Sequence, residues 1–301
     1  MAIEAQELEI QIGARTLLHP TNFHVAKGDK IGLVGRNGAG KTTLTRVITG
    51  DMLPTAGKVR VSGKLGYLPQ DFGVYPNFTA EQFLLYIARL KGLSKFEAKR
   101  QTDDLLHMVG LEDKKQKKLK GFSGGQRQRI CIARALALNP EFVVCDEPVS
   151  ALDVSIQAQI INLLKELQDK YNLTYLFISH DLSVVEHISD TVGVMYLGNL
   201  VEYGATEDIF HHPLHPYTEA LFSAIPVPDP NAKRNRIVLQ GTIPSPANPP
   251  KGCKFHTRCS KCMDCCREVA PVQREVEPGH YVDCHLYDDY KEVEDINGKT
   301  E

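Results

Sequence analysis

Residues 29 to 50 read DKIGLVGRNGAGKTTLTRVITG: a short apolar run, a glycine-rich turn, then apolar residues at helical spacing. The run is predicted as a strand and KTTLTRVITG as a helix, which puts the glycines on the loop between them. Within that loop GRNGAGKT, Gly35 to Thr42, fits the pattern G-x-x-x-x-G-K-[ST] in the strand–loop–helix context that gives the pattern meaning. Glycines let backbone N–H groups close around phosphates, and the helix start adds a dipole that favours an anion. Gly35, Asn37, Gly38, Gly40, Lys41, Thr42 and Thr43 are therefore candidate nucleotide-binding residues. Lys41 would reach the β- and γ-phosphates, and Thr42 would hold Mg²⁺.

Outward from this loop the α/β alternation continues. FVVCDE, Phe142 to Glu147, is an apolar strand ending in two carboxylates. Asp146 emerges where it can orient Mg²⁺, and Glu147 where it can polarise a water for attack on the γ-phosphate. A helix through IQAQIINLLKELQDKY, the strand TYLFIS and a further strand near VGVMYLG follow. Alternating βα units imply a largely parallel sheet that binds ligands at the carboxyl ends of its strands. Between the two halves, Thr79 with Gln82 and Ser94 with Glu97 have capping-box spacing and start two helices, the beginning of a helical insertion over residues 79–135. GFSGGQRQR, Gly121 to Arg129, opens another helix with a serine and two glycines. His180 closes TYLFIS, and Asp181 can cap the helix after it. Gln70 follows the strand ending in YLP; read alone, it is a turn glutamine.

The chain has 301 residues, a formal net charge of -2, 42% hydrophobic and 24% charged residues, the profile of a soluble globular protein. A near-neutral balance offers nucleic acid no electrostatic footprint. The one candidate stripe, Lys114 to Lys120, has no aromatic residues interleaved and reads as a solvated turn. No window approaches the roughly 20 apolar residues that cross a bilayer, and MAIEAQELEI lacks the features of a secretion signal. From Pro226 onward, VPDPNAK and IPSPANPPKG read as connectors and the acidic, polar DDYKEVEDINGKTE as disordered, its residues 291–301 forming the tail. Of eight cysteines, Cys131 and Cys145 sit in apolar runs as core thiols; the other six fall between Cys253 and Cys284. In a reduced compartment six clustered thiols point to metal, zinc or an iron–sulfur cluster, with a metal-free tail of redox-labile thiols as the other reading.

GRNGAGKT, Gln70, FSGGQ, FVVCDEPVSALD and His180 stand in the order found in ATP-binding cassette proteins, and residues 5 to 225 resemble that nucleotide-binding domain. SGGQ followed by DEPVSALD carries the resemblance more specifically than the phosphate loop alone. It implies a P-loop NTPase cassette, α/β in class, with a mostly parallel core, an antiparallel β part and the helical insertion. It further implies that two cassettes pack head to tail as a homodimer or a heterodimer with a paralogous subunit. Ser123, Gly124, Gly125 and Gln126 of one would then face the ATP held by Lys41 of the other. Asp153 would lie on the loop that crosses between subunits, His180 would clamp the γ-phosphate, and Gln70 would join the Mg²⁺ site. EIQIGART carries Ile12 where the family usually has an adenine-stacking aromatic, so loose base selectivity is expected.

Residues 1 to 71 resemble soluble ribosome-associated cassette proteins, and 72 to 120 resemble drug or bacitracin exporter ATPases. From residue 121 to about 290 the chain resembles oligopeptide and dipeptide import ATPases, through HHPLHPYTEALFSAIPVPDP and the cysteine-rich region at 226–290. The import reading implies a peripheral ATPase on the cytoplasmic face of the membrane, beneath permease subunits and without nucleic acid. By resemblance, Cys253, Cys259, Cys266 and Cys284 would hold a [4Fe–4S] cluster. Cys262 and Cys265 are extra, and create a competing C-x₂-C-x₂-C run with Cys259. The other readings are a drug-exporter ATPase and, in a different functional class, a stand-alone nucleotide switch acting on ribosomes or DNA. Against it, one phosphate loop and one SGGQ leave the chain with a single cassette.

Overall fold

The structure, a computed structural model, describes residues 3–13, 15–70, 73, 75–225, 236–245 and 248–289. The tail at 291–301 and the connector VPDPNAK lie outside the described residues. In chain order the elements are β1 Ile3–Ile12, β2 Arg15–Val25, β3 Lys30–Val34, α1 Lys41–Ile48, β4 Ala56–Val61 and β5 Leu65–Leu68. Then come α2 Ala80–Leu90, α3 Lys95–Met108, α4 Gly124–Leu136, β6 Phe142–Asp146, α5 Val154–Tyr171, β7 Thr174–Ser179 and α6 Leu182–Ile188. The chain continues with β8 Thr191–Tyr196, β9 Asn199–Ala205, α7 Thr206–His211, α8 Pro216–Phe222, α9 Cys265–Glu268, β10 Gln273–Glu277 and β11 His280–Asp283.

These elements fall into two compact units, one made of Met1–Glu4, His24–Lys30 and Arg60–Ser179, the other of Ala5–Phe23, Ile31–Val59 and His180–Glu301. In the first, β7, β6 and β5 are neighbours, with parallel pairing of β5 to β6 and of β6 to β7. FVVCD and TYLFIS are buried at every position. That is why these strands read as continuous apolar runs without alternation: parallel strands covered on both faces have no solvent side.

The helical insertion starts where the capping boxes placed it. Thr79 Oγ1 accepts from Gln82 N, Ser94 Oγ accepts from Glu97 N, and both boxes close reciprocally. α2 and α3 pack together, and α4 lies against both. The lysine-rich turn anchors the first of these helices, because the carbonyls of Lys117 and Lys115 accept the N–H groups of Ala80 and Glu81 at the start of α2. Leu119 buries completely while the lysine side chains stay at the surface.

In the second unit β3 pairs with β8 in parallel, and the sheet then turns antiparallel through β9, β11 and β10. The three-stranded sheet β2-β1-β4 belongs mostly to this unit. The β10–β11 hairpin is a finding beyond the sequence reading. The cysteine-rich region adds two strands to the sheet, with Tyr281 opposite Tyr203 and Val282 opposite Glu202.

Candidate functional site

In the second unit, β3 ends in the phosphate loop. Gly35 packs against the backbone of Met195: a Cβ there would lie 2.5 Å from the Met195 carbonyl oxygen, so only glycine fits. Gly198 donates its N–H to the Ala39 carbonyl at 2.9 Å, bracing the loop from the β8–β9 turn. Gly40 N-caps α1 at φ +102 without a side-chain cap, leaving the first N–H groups of the helix to the loop's interior. Lys41 is buried, and its ammonium is folded onto the carbonyls of Gly35 at 2.5 Å and Arg36 at 3.2 Å. A buried cation beside orphan helix N–H groups suits a polyphosphate. Asn37, Gly38 and Thr42 are exposed, and Thr43 is half-buried. His180, also in this unit, is exposed.

In the first unit, β6 delivers Asp146 and Glu147. Asp146 is buried and accepts from the Tyr67 hydroxyl at 3.3 Å. Glu147 leaves the strand with φ +47, a conformation L-residues rarely adopt. Its N–H donates to Ile178 O at 3.0 Å, and Gln70 Nε2 donates to its Oε2 at 3.1 Å. The structure therefore joins Gln70 to Glu147, a pairing that each residue read alone did not suggest. Tyr67 was missed, and its only signal was a polar aromatic in a four-residue strand, two residues before Pro69.

The SGGQ segment forms a third capping box, Ser123 Oγ accepting from Gln126 N while Gln126 Oε1 accepts from Ser123 N. A Cβ on Gly125 would meet Ile156 Cγ2 at 2.6 Å, so α4 approaches α5 at a distance only glycine permits. Asp153 N-caps α5 through its bond from Ile156 N.

In the cysteine-rich region Cys253, Cys266 and Cys284 are buried, Cys259 and Cys262 half-buried, and Cys265 exposed. Among the described residues no three His, Cys, Asp or Glu side chains converge as single-ion ligands. The thiols are nonetheless neighbours. Burial pushes Cys284 up to about 12, helped by repulsion from Cys253, Cys259 and Cys266. Cys253 rises to about 11 by burial, with Cys266 and Cys259 adding to it. Cys262 raises Cys259, and Cys266 raises Cys265, so these two thiols adjoin the same group. A metal group taking these thiols would have to displace their protons.

Comparison with known proteins agrees with these geometries. A family described as ABC transporter matches residues 18–150, and one described as the oligopeptide/dipeptide transporter C-terminal region matches 201–266. Solved structures alike in fold include an inward-facing metal-chelate type ABC transporter, with TM-score 0.66 and 27% identity, covering 75% of this chain and 89% of that one. Another is a dimeric ATP-binding cassette in a post-hydrolysis state bound to ADP and Pi, with TM-score 0.60 and 25% identity, covering 68% and 98%. The fold and site define an ATP-binding cassette ATPase.

The chain belongs to the ABC transporter ATPases that carry the oligopeptide/dipeptide transporter C-terminal region. Its relatives include YkfD of Bacillus subtilis, which bears an oligopeptide transport ATP-binding name, at 48% identity over 88% of both chains. AppF of the same organism, an oligopeptide transport ATP-binding protein, is 45% identical over 92% of this chain and 91% of its own. A Brucella ovis protein with a peptide import ATP-binding name is 45% identical over 93% and 95%. These matches run well beyond the segment from residue 121 where the sequence resemblance was strongest. Among the described residues no helix is long and apolar enough to cross a membrane.

Proposed function

We propose that this ATPase energises import of oligopeptides or dipeptides, working as a homodimer or paralogous heterodimer on the cytoplasmic side of membrane permease subunits. The relatives' names and the C-terminal region support the substrate class. Lys41 and the loop N–H groups hold the β- and γ-phosphates. Thr42, Asp146 and Gln70 are the residues for Mg²⁺, which supplies charge neutralisation at the phosphate oxygens when bound. Glu147 orients and deprotonates the attacking water, His180 steadies the γ-phosphate, and the Ser123–Gln126 helix start of one copy faces the nucleotide of the other. Asp153 fixes the start of α5 beside that subunit contact.

The observation that carries the chemistry is the Gln70–Glu147 hydrogen bond, which ties the candidate base to the segment entering the helical insertion. A shift in Gln70 is thereby a shift in the base. Glu147→Gln keeps an acceptor for Gln70 but has no base. Hydrolysis in the variant should fall by about 10²–10⁴-fold, with ATP binding retained and an ATP-dependent dimer on sizing. Normal turnover by that variant would overturn the assignment.

For the cysteine region, Cys253, Cys259, Cys266 and Cys284 are the four that the family resemblance assigns, and Cys262 and Cys265 adjoin Cys259 and Cys266. A [4Fe–4S] cluster on this quartet is the reading we favour over zinc, with Cys262 and Cys265 outside it.

A further inference from the structure

In the second unit β8 and β9 meet in a two-residue turn, Leu197 and Gly198, closed by the pairing of Tyr196 with Asn199. Both turn residues have positive φ, +45 and +81, the backbone that asparagine–glycine ordinarily fills in a hairpin. A leucine there is strained, and such a conformation persists only where its surroundings over-determine it. Leu197 is buried. Both polar backbone groups of Gly198 are committed as well: its N–H donates to Ala39 O at 2.9 Å, and its carbonyl accepts from His19 N at 2.8 Å. The turn reaches the phosphate loop a second time at Gly40, where a Cβ would meet Gly198 Cα at 3.3 Å and Met195 Cε at 3.2 Å. The strained turn is thus packed against the end of the loop that leads into α1.

An aromatic cluster holds the turn from its other side. The Tyr196 ring stands edge-on to Phe255, with centroids 5.2 Å apart and planes at 85°, and lies 4.7 Å from the ring of Tyr217. Tyr217 is itself 5.5 Å from Phe255. Phe255 is 1% exposed, and its place is set by the cysteine-rich region. Two residues before it, Cys253 donates its N–H to Cys266 O at 2.9 Å and accepts from His256 N at 3.1 Å, while Phe255 O accepts from Arg258 N at 2.9 Å. Contact therefore runs from the thiol-bearing turns to Phe255, from Phe255 to Tyr196, and across one peptide bond into the strained turn.

We infer that Phe255 is a positioning residue for the phosphate loop. Its ring fixes Tyr196, Tyr196 fixes the Leu197–Gly198 turn, and the turn fixes Ala39 and Gly40 in the conformation that receives phosphate. The inference rests on the reading of that loop as the ATP site. Through this one ring, the fold of the thiol-bearing segment sets how tightly nucleotide is held.

The test measures the affinity of the full chain for a fluorescent ATP analogue with Mg²⁺, beside its thermal midpoint and amide exchange at Gly198. Phe255→Leu should weaken the analogue about tenfold and speed exchange at Gly198. Phe210→Leu takes a ring from a different stack of the same unit, 4.4 Å from Phe222. It should lower the midpoint while affinity and Gly198 exchange stay as in the parent. Adding Leu197→Asn to Phe255→Leu makes an asparagine–glycine turn that keeps its shape unaided, and should recover most of the lost affinity, which repair of a general packing defect would not do. Should Phe255→Leu fail to fold, Phe255→Met, a flexible side chain that fills irregular gaps, is measured in its place. Equal affinity in the Phe255 and Phe210 variants overturns the proposal, and so does a loss that the asparagine–glycine turn leaves unrepaired. A parent chain that binds no analogue overturns the ATP-site reading, and the proposal with it.

Discussion

Glu147 sits where two backbone demands meet. Its φ of +47 costs about 1–2 kcal/mol for an L-residue, and the surroundings hold it there. Its N–H bonds Ile178, while its carbonyl accepts from the N–H and the hydroxyl of Ser150, at 3.3 and 3.1 Å. The sequence told that two carboxylates end this strand, but neither the left-handed turn nor the bond from Gln70, 77 positions away, leaves a local trace. His215 shows the same limit. Nothing in HHPLHPY sets it apart from its neighbouring histidines, yet it is 1% exposed and N-caps α8 by accepting the Tyr217 N–H on Nδ1 at 3.0 Å. Burial lowers its pKa to about 4, against an opposing pull from Glu202. The folded chain therefore keeps His215 neutral where the unfolded chain binds a proton. Its contribution is intact above the unfolded value of about 6.5 and is lost as pH falls from there to about 4. A shift of that size sets a ceiling of about 3 kcal/mol. His215→Asn retains a capping acceptor without titrating in this range. Urea unfolding at about pH 7.5 and pH 5, either side of the ordinary histidine value, should show a smaller loss of stability on acidification in the variant than in the parent. Equal losses in the two proteins would contradict this account.

At the level of elements, the legible features were those whose cause is local. Three helices begin with a Thr or Ser and a Gln or Glu three residues on, and each closes a capping box. Two of these follow from spacing alone; the third has the same spacing, with Gln126 three residues after Ser123 inside SGGQ. What spacing could not tell is the packing that the second glycine of SGGQ allows. With Ile156 Cγ2 only 2.6 Å from a Cβ at Gly125, the first turn of α4 packs on α5 through that hydrogen. Gly125→Ala should destabilise the chain by about 1–3 kcal/mol, read as a lower urea midpoint. Ser94→Ala, a cap far from any such contact, should cost about 1 kcal/mol and leave ATP hydrolysis untouched. A Gly125→Ala protein as stable as its parent would mean that α5 yields freely and that the glycine serves the nucleotide alone.

For the molecule as a whole, proline and cysteine content made the C-terminal region look like connectors and a metal tail. Its hairpin was obscured because β10 and β11 are only five and four residues long and QREVE is largely polar. The region nevertheless carries two long-range commitments. One is the thiol quartet. If it holds a cluster, anaerobically purified protein should show iron and a visible absorbance that Cys284→Ser removes and Cys265→Ser keeps; the reverse pattern would shift the ligands to the C-x₂-C-x₂-C run. The other is a buried carboxylate. Glu202, on β9, is 1% exposed and accepts from Leu214 N at 2.7 Å, His215 N at 2.9 Å and His280 Nε2 at 2.9 Å. One side chain thus fixes the start of α8 and ties the hairpin to β9, across 78 positions of sequence that no local pattern could span. Removing it strands two N–H groups and a wholly buried imidazole, so Glu202→Ala should cost about 3–5 kcal/mol. Glu202→Gln keeps an oxygen acceptor and should cost less. The loss should be uneven: amide exchange in 273–283 and 214–222 should rise before exchange in β6 and β7, which this carboxylate does not touch. Uniform acceleration would mean that the hairpin and the α/β core unfold as one unit and that Glu202 anchors neither element in particular.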